Sequence, residues 1–383
     1  MSGPLSNYKI IEIAGIGPGQ LCGMLLADLG ATVIRIDRKE DADLGIGMPA
    51  KYNLMNRSRP AIAVDLKSEA GVELVKTLIG EADALFEGFR PGVMERLGLG
   101  PEICMALNPK LVYGRMTGWG QDGPMAQAVG HDPNYIALTG VLASIGDKEG
   151  APVYPLNLIG DFGGGGVYLA FGLLAALLET NRSGQGQVVD AAMVDGIASM
   201  MTLFHGLLAG RMWQESRGSN MIDAGAPNVH VYRTRDNAYM AVGAVEARFF
   251  KNLTRTLGLD IDPELRNKPK HWAELTAQIQ QVFSTKTRDQ WSDIFAEVDA
   301  CVSPVLSLTE ATQQQHLVAR ATYVEVEGII QPAPAPRFSR TPGEISQPPL
   351  ESGTDNVSAL KPWSMTKNQV EQLERDGTLL KTD

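Results

Sequence analysis

The stretch YKIIEIAGIGPGQLCGMLLADLGATVIRID, residues 8–37, decides the fold. Tyr8–Ala14 is an isoleucine-rich run of strand length, and it breaks into the turn Gly15-Ile16-Gly17-Pro18-Gly19. Leu21, Met24, Leu25, Leu26 and Leu29 then recur at helical spacing, and Gly30 closes the helix. Ala31–Asp37 is the next strand. A strand, a tight turn, a helix and a second strand in such quick succession describe a parallel βαβ unit. A dinucleotide fold keeps its phosphate loop at such a turn. The G-x-G-x-x-G pattern fails here, because Gln20 stands where the last glycine belongs. Asp37 and Arg38 occupy the place where a nucleotide ribose would be read. Nicotinamide binding is one reading of this turn. A structural turn, or a loop lining some other cleft, is the other.

The same rhythm continues outward. Ala61–Leu66 reads as a strand, Ser68–Ile79 as a helix and Ala84–Phe89 as a strand. Two helical pieces and a strand at Leu111–Met116 follow. Further on, the spacing predicts helices over Gly163–Glu179 and Val188–Leu208. A polar, glycine-rich linker covers Gln214–Asn228. Val229–Arg233 and Ala238–Val245 form a strand-turn-strand, and a helix-rich stretch runs from Ala247 to about Ala321, interrupted near 300–305. The proline-rich segment 331–353 excludes a central strand or a regular helix, and is expected to wrap back over the first domain. The expected fold is therefore α/β: a large Rossmann-like domain with a mainly parallel sheet over 1–188, a helix and linker over 189–225, a smaller α+β domain over 226–320, and a return to the large domain with the C-terminal tail over 321–383.

Composition narrows the function classes. With 383 residues, 44% of them hydrophobic and 20% charged, the chain has material for two cores and is not a disordered chain. A net charge of -10 argues against a nucleic-acid partner. Cys22, Cys104 and Cys301 stand far apart with no CxxC pair, so neither a disulfide framework nor a metal site is expected. The N-terminal residues lack the basic, then apolar pattern of a secretory leader. The most apolar stretch, Val167–Leu178, is shorter than the ~20 residues that span a bilayer. The expectation is a cytoplasmic protein with no membrane partner.

Four places carry chemistry. Arg35, Arg38, Arg57, Arg59, Lys67, Arg90 and Arg96 are cations clustered in the first hundred positions, several at strand ends, where parallel sheets bind ligands. Individually each reads as solvated surface charge; as a group on an acidic protein they suit a phosphate-rich ligand. His131 lies in the turn-rich loop Gly130-His131-Asp132-Pro133-Asn134-Tyr135 after a strand. There it is either a structural histidine or a site residue. Asp161 precedes Gly163-Gly164-Gly165-Gly166. It fits a helix cap, while the glycines suit a ligand that approaches the backbone or N–H groups that face an oxyanion near Gly163. Glu246 ends an apolar strand, as an exposed carboxylate or as one that orients a histidine.

Taken in order, these motifs resemble a known family. They are Gly130-His131-Asp132 with Asn134-Tyr135, Asn157-Leu158 with Asp161-Phe162-Gly163-Gly164, and Gly184 through Val194 to Asp195-Gly196. Asn220, Asp223 and Gly225-Ala226-Pro227 follow, then Ala241 to Glu246 and Asp299 to Val305. Together they resemble the α-methylacyl-CoA racemases of the class III (formyl-CoA) CoA-transferase superfamily, from Leu5 to about Arg340. The resemblance implies an interlocked homodimer, its large domain built from both chain ends, with the site between the large domain of one subunit and the small domain of the other. It implies an isomerase that inverts the α-carbon of 2-methylacyl-CoA thioesters by two-base 1,1-proton transfer through an enolate. His131 and Asp161 would be the acid/base pair, and Glu246 would support His131 from the partner subunit. CoA would enter only as part of the substrate, with no separate cofactor and no metal. It would meet Arg38, Val64, Asp65, Leu66, Lys67, Gly88, Phe89, Arg90 and Arg96, and near the thioester Gly130, Asp132, Asn134 and Tyr135. The rival reading within the superfamily is a CoA-transferase in which Asp161 attacks acyl-CoA as a nucleophile. Two departures stand out. After Ala226-Pro227 the racemases carry aromatic residues and an acid where this chain has Asn228-Val229-His230-Val231-Tyr232, a stretch expected to touch the acyl chain. The last thirty or so residues match nothing in the family pattern.

Overall fold

The computed structural model describes residues 3–40 and 46–382. Contacts divide the chain into two compact units: residues 1–139, 156–200 and 320–383, and residues 140–155 with 201–319.

The first unit is built on six parallel strands, β1 (Lys9–Ile13), β2 (Thr32–Asp37), β3 (Ala61–Ala63), β4 (Ala84–Glu87), β5 (Val112–Thr117) and β6 (Val188–Ala192), in the order β3-β2-β1-β4-β5-β6. This is the doubly wound order, in which the direction of winding reverses between β1 and β4. Helices α1 (Pro18–Asp28), α2 (Glu69–Ile79), α3 (Val93–Arg96) and α4 (Pro101–Leu107) connect the first five strands. The last crossover carries α5 (Asp132–Leu138), a wide π-helical turn over Ile159–Val167 and α6 (Tyr168–Ser183). Gly17 starts α1 at φ 64° and Pro18 occupies its first turn; Ser68 caps α2 by accepting the Gly71 N–H at 3.1 Å. One face of the sheet buries Ile11, Ile34, Ile36, Leu85 and Tyr113 against Leu74, Val75 and Leu78 of α2.

Several expectations are corrected. Val188–Leu208 is not one helix: Val188–Ala192 is the sixth strand, followed by α7 (Met193–Met200) and α8 (Thr202–Ala209). Its valines pair with Tyr113 and Gly114, and tertiary pairing overrides the helical look of the alanine- and methionine-rich sequence. The Ala61–Leu66 strand shortens to three residues, because Val64 turns to pair antiparallel with Leu379. Residues 140–155 group with the second unit, and 189–200 with the first. The helix expected from Gly163 begins earlier. Leu156–Ser183 is one continuous helical run, long and apolar enough by length and composition to cross a membrane, and nearly half buried. Its inner face, with Leu169 and Leu173, packs on Gly114 of β5.

The tail returns to the first unit. A hairpin of β10 (Tyr323–Val326) and β11 (Ile329–Pro332) follows the second unit. The proline-rich stretch beyond it then hydrogen-bonds across the sheet: Glu344 N–H to Asp28 O at 2.9 Å, Ser58 N–H to Gln347 O at 2.9 Å and Gly353 N–H to Ala61 O at 3.1 Å. The final helices, α14 (Asn356–Leu360) and α15 (Lys367–Arg375), bring Leu360, Trp363 and Val370 into the main core.

The second unit is an antiparallel sheet of β7 (Val229–Arg233), β8 (Tyr239–Gly243) and β9 (Val302–Pro304). The interruption expected near 300–305 is the third strand. Helices α9 (Ala247–Thr256), α10 (Trp272–Phe283) and α11 (Arg288–Phe295) close a core of Tyr232, Met240, Phe250, Phe283 and Trp291, and short helices α12 (Leu308–Ala311) and α13 (Gln315–Ala319) end the unit. Asn228 and Tyr232 are fully buried, donating to Ala244 O and Pro227 O, so they cannot touch an acyl chain; of that stretch, His230 lines a cavity and Val231 is exposed.

Candidate active site

Open α/β sheets bind ligands beyond the carboxyl ends of their strands, at the point where the strand order reverses. Here that point lies between β1 and β4, and a cleft of about 350 Å³ opens there. Gly15, Ile16 and Gly19 line it after β1, Phe86 and Gly88–Pro91 at β4, Thr117–Trp119 after β5, and then Gly130, His131, Tyr135 and Asp161. The first glycine turn is therefore a wall of this cleft. Gly17 allows Asp161 to come close, because a Cβ there would lie 3.0 Å from Asp161 Oδ2.

His131 stands at the start of α5, exposed, with its backbone N–H donated to Asn134 Oδ1 at 3.0 Å. Tyr135 folds under the loop and donates its hydroxyl to Gly130 O, with its ring edge-on to Trp119 at 4.8 Å. Gly118 and Gly130 leave room for these rings, since a Cβ on either would overlap Tyr135. Burial pushes the Tyr135 phenol up to about 12, and the carboxylates of Asp161 and Asp132 add to this. Tyr135 is thus a neutral hydrogen-bond donor at physiological pH.

Asp161 is half-buried in the first turn of the π-helical segment. Its backbone N–H donates to Asp132 Oδ2 at 2.7 Å, and its own Oδ2 accepts from Asn157 Nδ2 at 3.1 Å. Burial raises its carboxyl above the ordinary range, and Asp132 raises it further, while Asn157 and His131 act in the opposite direction. A carboxyl raised in this way holds a proton more readily than an ordinary aspartate, which suits a group that must serve as acid as well as base. Asp132, expected beside the thioester, is buried and turned to the Asp161 backbone, not to the cleft; Gly160 makes room for it, as a Cβ there would overlap Asp132 Oδ2. Asn134 likewise serves the loop. The roles of Asn157 and Asp132 could not be read from the sequence, because both depend on helix geometry and on a contact 29 positions apart.

Three of the four glycines after Asp161 are required by packing. A Cβ on Gly164 would meet Ile197 at 2.6 Å, on Gly165 Pro18 at 2.8 Å and on Gly166 Pro18 O at 2.7 Å. They let α1 and α7 cross the π-helical turn at backbone distance.

The cation cluster divides. Arg59 is fully buried and pairs with Glu12; Arg57 is buried on Asp28 at 2.6 Å; Arg35 pairs with Asp37 at 2.7 Å. These three are structural, not phosphate ligands. Arg38, Lys67, Arg90 and Arg96 remain exposed, and among the described residues they make no ion pair. Arg38 stacks over Phe89, 5.6 Å from its centroid. Asp65 accepts the Lys67 N–H at 2.8 Å, Val64 is buried, and Leu66 packs on the core. All these positions follow strands β2, β3 and β4 or sit on α3. Glu246 is exposed at the start of α9 in the second unit. Among the described residues no cluster of three or more His, Cys, Asp or Glu side chains is placed to hold a metal ion.

Residues 5–356 match the model of CoA-transferase family III. The chain is 40% identical to α-methylacyl-CoA racemase of Mus musculus, covering 97% of this chain and 96% of that one. It is 38% identical to α-methylacyl-CoA racemase of Homo sapiens, with the same coverage. A solved CaiB/BaiF family protein from Brucella suis shares the fold, with a TM-score of 0.80 at 23% identity, over 95% of this chain and 100% of that one.

Proposed function

This chain belongs to CoA-transferase family III, and on that premise we propose that it is an isomerase that inverts the α-carbon of 2-methylacyl-CoA thioesters. The observation that carries the reading is the placing of His131 and Asp161 on the wall of one cleft at the switch point of the sheet. Relatives named as α-methylacyl-CoA racemases support it.

The α-proton of an acyl thioester is weakly acidic, and inversion needs a base on one face and an acid on the other. One of His131 and Asp161 takes the α-proton to leave an enolate, and the other returns a proton to the opposite face. With the mirror-image substrate they exchange roles. The raised Asp161 carboxyl suits this exchange, because burial makes it a better proton acceptor than an ordinary aspartate. CoA is bound as part of the substrate, with Arg38, Lys67, Arg90 and Arg96 available to its phosphates. No metal or separate cofactor takes part.

The active form in this reading is a homodimer in which Glu246 of the partner subunit steadies the His131 imidazole. Val167, Phe171 and Leu178 support a partner: they make an apolar stripe from the end of the π-helical turn along α6 that is 47%, 69% and 70% exposed in the single chain. The protein works in the cytoplasm, without a membrane or nucleic-acid partner.

The test is to incubate the protein with one enantiomer of a 2-methylacyl-CoA in D₂O and follow the α-proton and the optical composition by NMR. Exchange with loss of optical purity, abolished in His131→Ala and in Asp161→Ala, is the expected result. Absence of exchange across short, long and aryl chains would remove the racemase reading. Transfer of CoA to an added carboxylate through an Asp161 anhydride would put the transferase reading in its place.

A further inference from the structure

Close to the cleft lies a buried carboxylate with no part in that chemistry. Glu87 ends β4 and is 1% exposed. Its Oε2 accepts the Phe89 N–H at 2.6 Å, and its Oε1 accepts Arg115 Nε at 3.1 Å. Arg115, on β5, also donates Nη1 to Glu95 of α3 at 2.8 Å. The relay from Phe89 through Glu87 and Arg115 to Glu95 joins the turn bearing Phe89 and Arg90 to the helix whose next residue is Arg96. Phe89 in turn carries Arg38 on its ring. Four residues expected to meet CoA thus depend on one carboxylate.

Stability alone does not account for a charge there. Taking a carboxylate out of water costs several kcal/mol, and an apolar replacement of a buried ion pair is often neutral or stabilising. We propose that Glu87 is a positioning residue for CoA: its ionised form holds the Gly88–Arg90 turn and, through Arg115, helix α3 in the arrangement that receives the nucleotide. The inference rests on the CoA reading of the cleft.

Its consequence is a pH dependence of binding. Burial pushes the Glu87 carboxyl up to about 7; the Phe89 N–H and Arg115 of β5 oppose this, and Glu95 of α3 adds to it. Tyr113, also on β5, stays a neutral phenol, held well above its usual range by burial and by Glu87. As pH falls through about 7, Glu87 takes up a proton, its charged hold on Arg115 is lost and the turn loosens. Affinity for CoA therefore falls toward acid. Stability runs the other way. A carboxyl raised from 4.5 favours the protonated folded state, so its contribution is full below 4.5 and is lost as pH rises through about 7. Opposite signs for affinity and stability separate positioning from a merely structural role.

The test is calorimetric titration of the full-length protein with CoA and with dephospho-CoA between about pH 6 and about pH 8.5. Dephospho-CoA lacks the monoester phosphate that itself titrates near ~6. With it, wild-type affinity should fall by up to roughly tenfold per pH unit below the midpoint. Glu87→Gln should bind as weakly at pH ~8 as wild type does at pH ~6, without pH dependence. Glu95→Gln keeps an acceptor for Arg115 in the relay but removes a like charge, and should move the midpoint to lower pH; with the wild-type titration, it keeps the test decisive if Glu87→Gln does not fold. A flat wild-type profile, or wild-type affinity in folded Glu87→Gln, overturns the inference alone. No binding of either nucleotide at any pH overturns the CoA reading and the inference with it.

Discussion

Arg57 and Arg59 lie a short way along the chain from Arg38 and Arg90, and the four read alike in the sequence, yet the molecule uses them in opposite ways. Arg59 has no exposure and is held by Glu12, Asn56 and Met55 O. Gly23 of α1 exists in that form because a Cβ would overlap the Arg59 guanidinium. Arg57 clamps Asp28 to Gln331 and Pro332 O, so it fastens the returning tail to α1. Arg38 and Arg90 stand open beyond the strand ends, Arg38 with an aromatic ring beneath it. The same guanidinium is a fastener where a buried carboxylate meets it, and a candidate ligand contact where it stands open at a strand end.

The strongest way to sharpen that contrast is to cut the open half at its reacting groups. His131→Ala and Asp161→Ala should each lower the exchange rate by roughly 10²–10⁴-fold. Thermal melts should stay close to wild type, because His131 is exposed and Asp161 only half-buried. A large fall in melting temperature together with activity would move these residues into the structural half.

Next in size is the closed half. Arg59→Ala leaves Glu12 buried without its cation and should cost ~3–5 kcal/mol in urea unfolding, a large part of a typical folding free energy. Replacing both partners, Arg59→Met with Glu12→Gln, should recover much of that, because no charge is then stranded. A packing lesion in the same unit calibrates the difference: Gly164→Ala drives a methyl into Ile197 and should cost ~1–3 kcal/mol, read from the same unfolding curve. If Arg59→Ala costs no more than Gly164→Ala, the pair is not held as tightly as its burial implies.

This contrast also marks what the sequence could show. The βαβ opening was legible because a strand, a glycine turn and a spaced helix are local signals within residues 8–37. His131, Asp161 and Glu246 were legible as motif residues at strand or helix ends, and the first two line one cleft. The ion pairs were not legible, because Arg59 finds Glu12 47 positions away and Arg57 finds Asp28 29 positions away. The strand Val188–Ala192 was hidden by alanines and methionines that suit a helix, and only its pairing with β5 reveals it. The return of residues 321–383 to the large domain was expected, but the helices of the last residues were not read although Val370 and Leu373 stand at helical spacing; their partners, such as those around Trp363, are set by tertiary packing.

The smallest expected effect tests the open arginines themselves. Arg38→Ala removes an exposed side chain that makes no ion pair among the described residues, so stability should change by no more than ~0.5 kcal/mol. A charge-assisted contact to phosphate is worth about 1.5–3 kcal/mol, and an exposed one falls at the lower end of that range. KM for the acyl-CoA should therefore rise roughly tenfold with kcat little changed, because the nucleotide is held equally in ground and transition states. Two further readouts separate a phosphate contact from simple packing over Phe89. The KM penalty should shrink as salt is raised, since a partly exposed charge pair is screened within a Debye length of about 8–10 Å. Arg38→Lys should restore part of the binding through its point charge, but not the stacking and forked geometry of the guanidinium. A KM that stays at the wild-type value at low salt would place Arg38 with ordinary surface charge and leave Lys67, Arg90 and Arg96 to hold the phosphates.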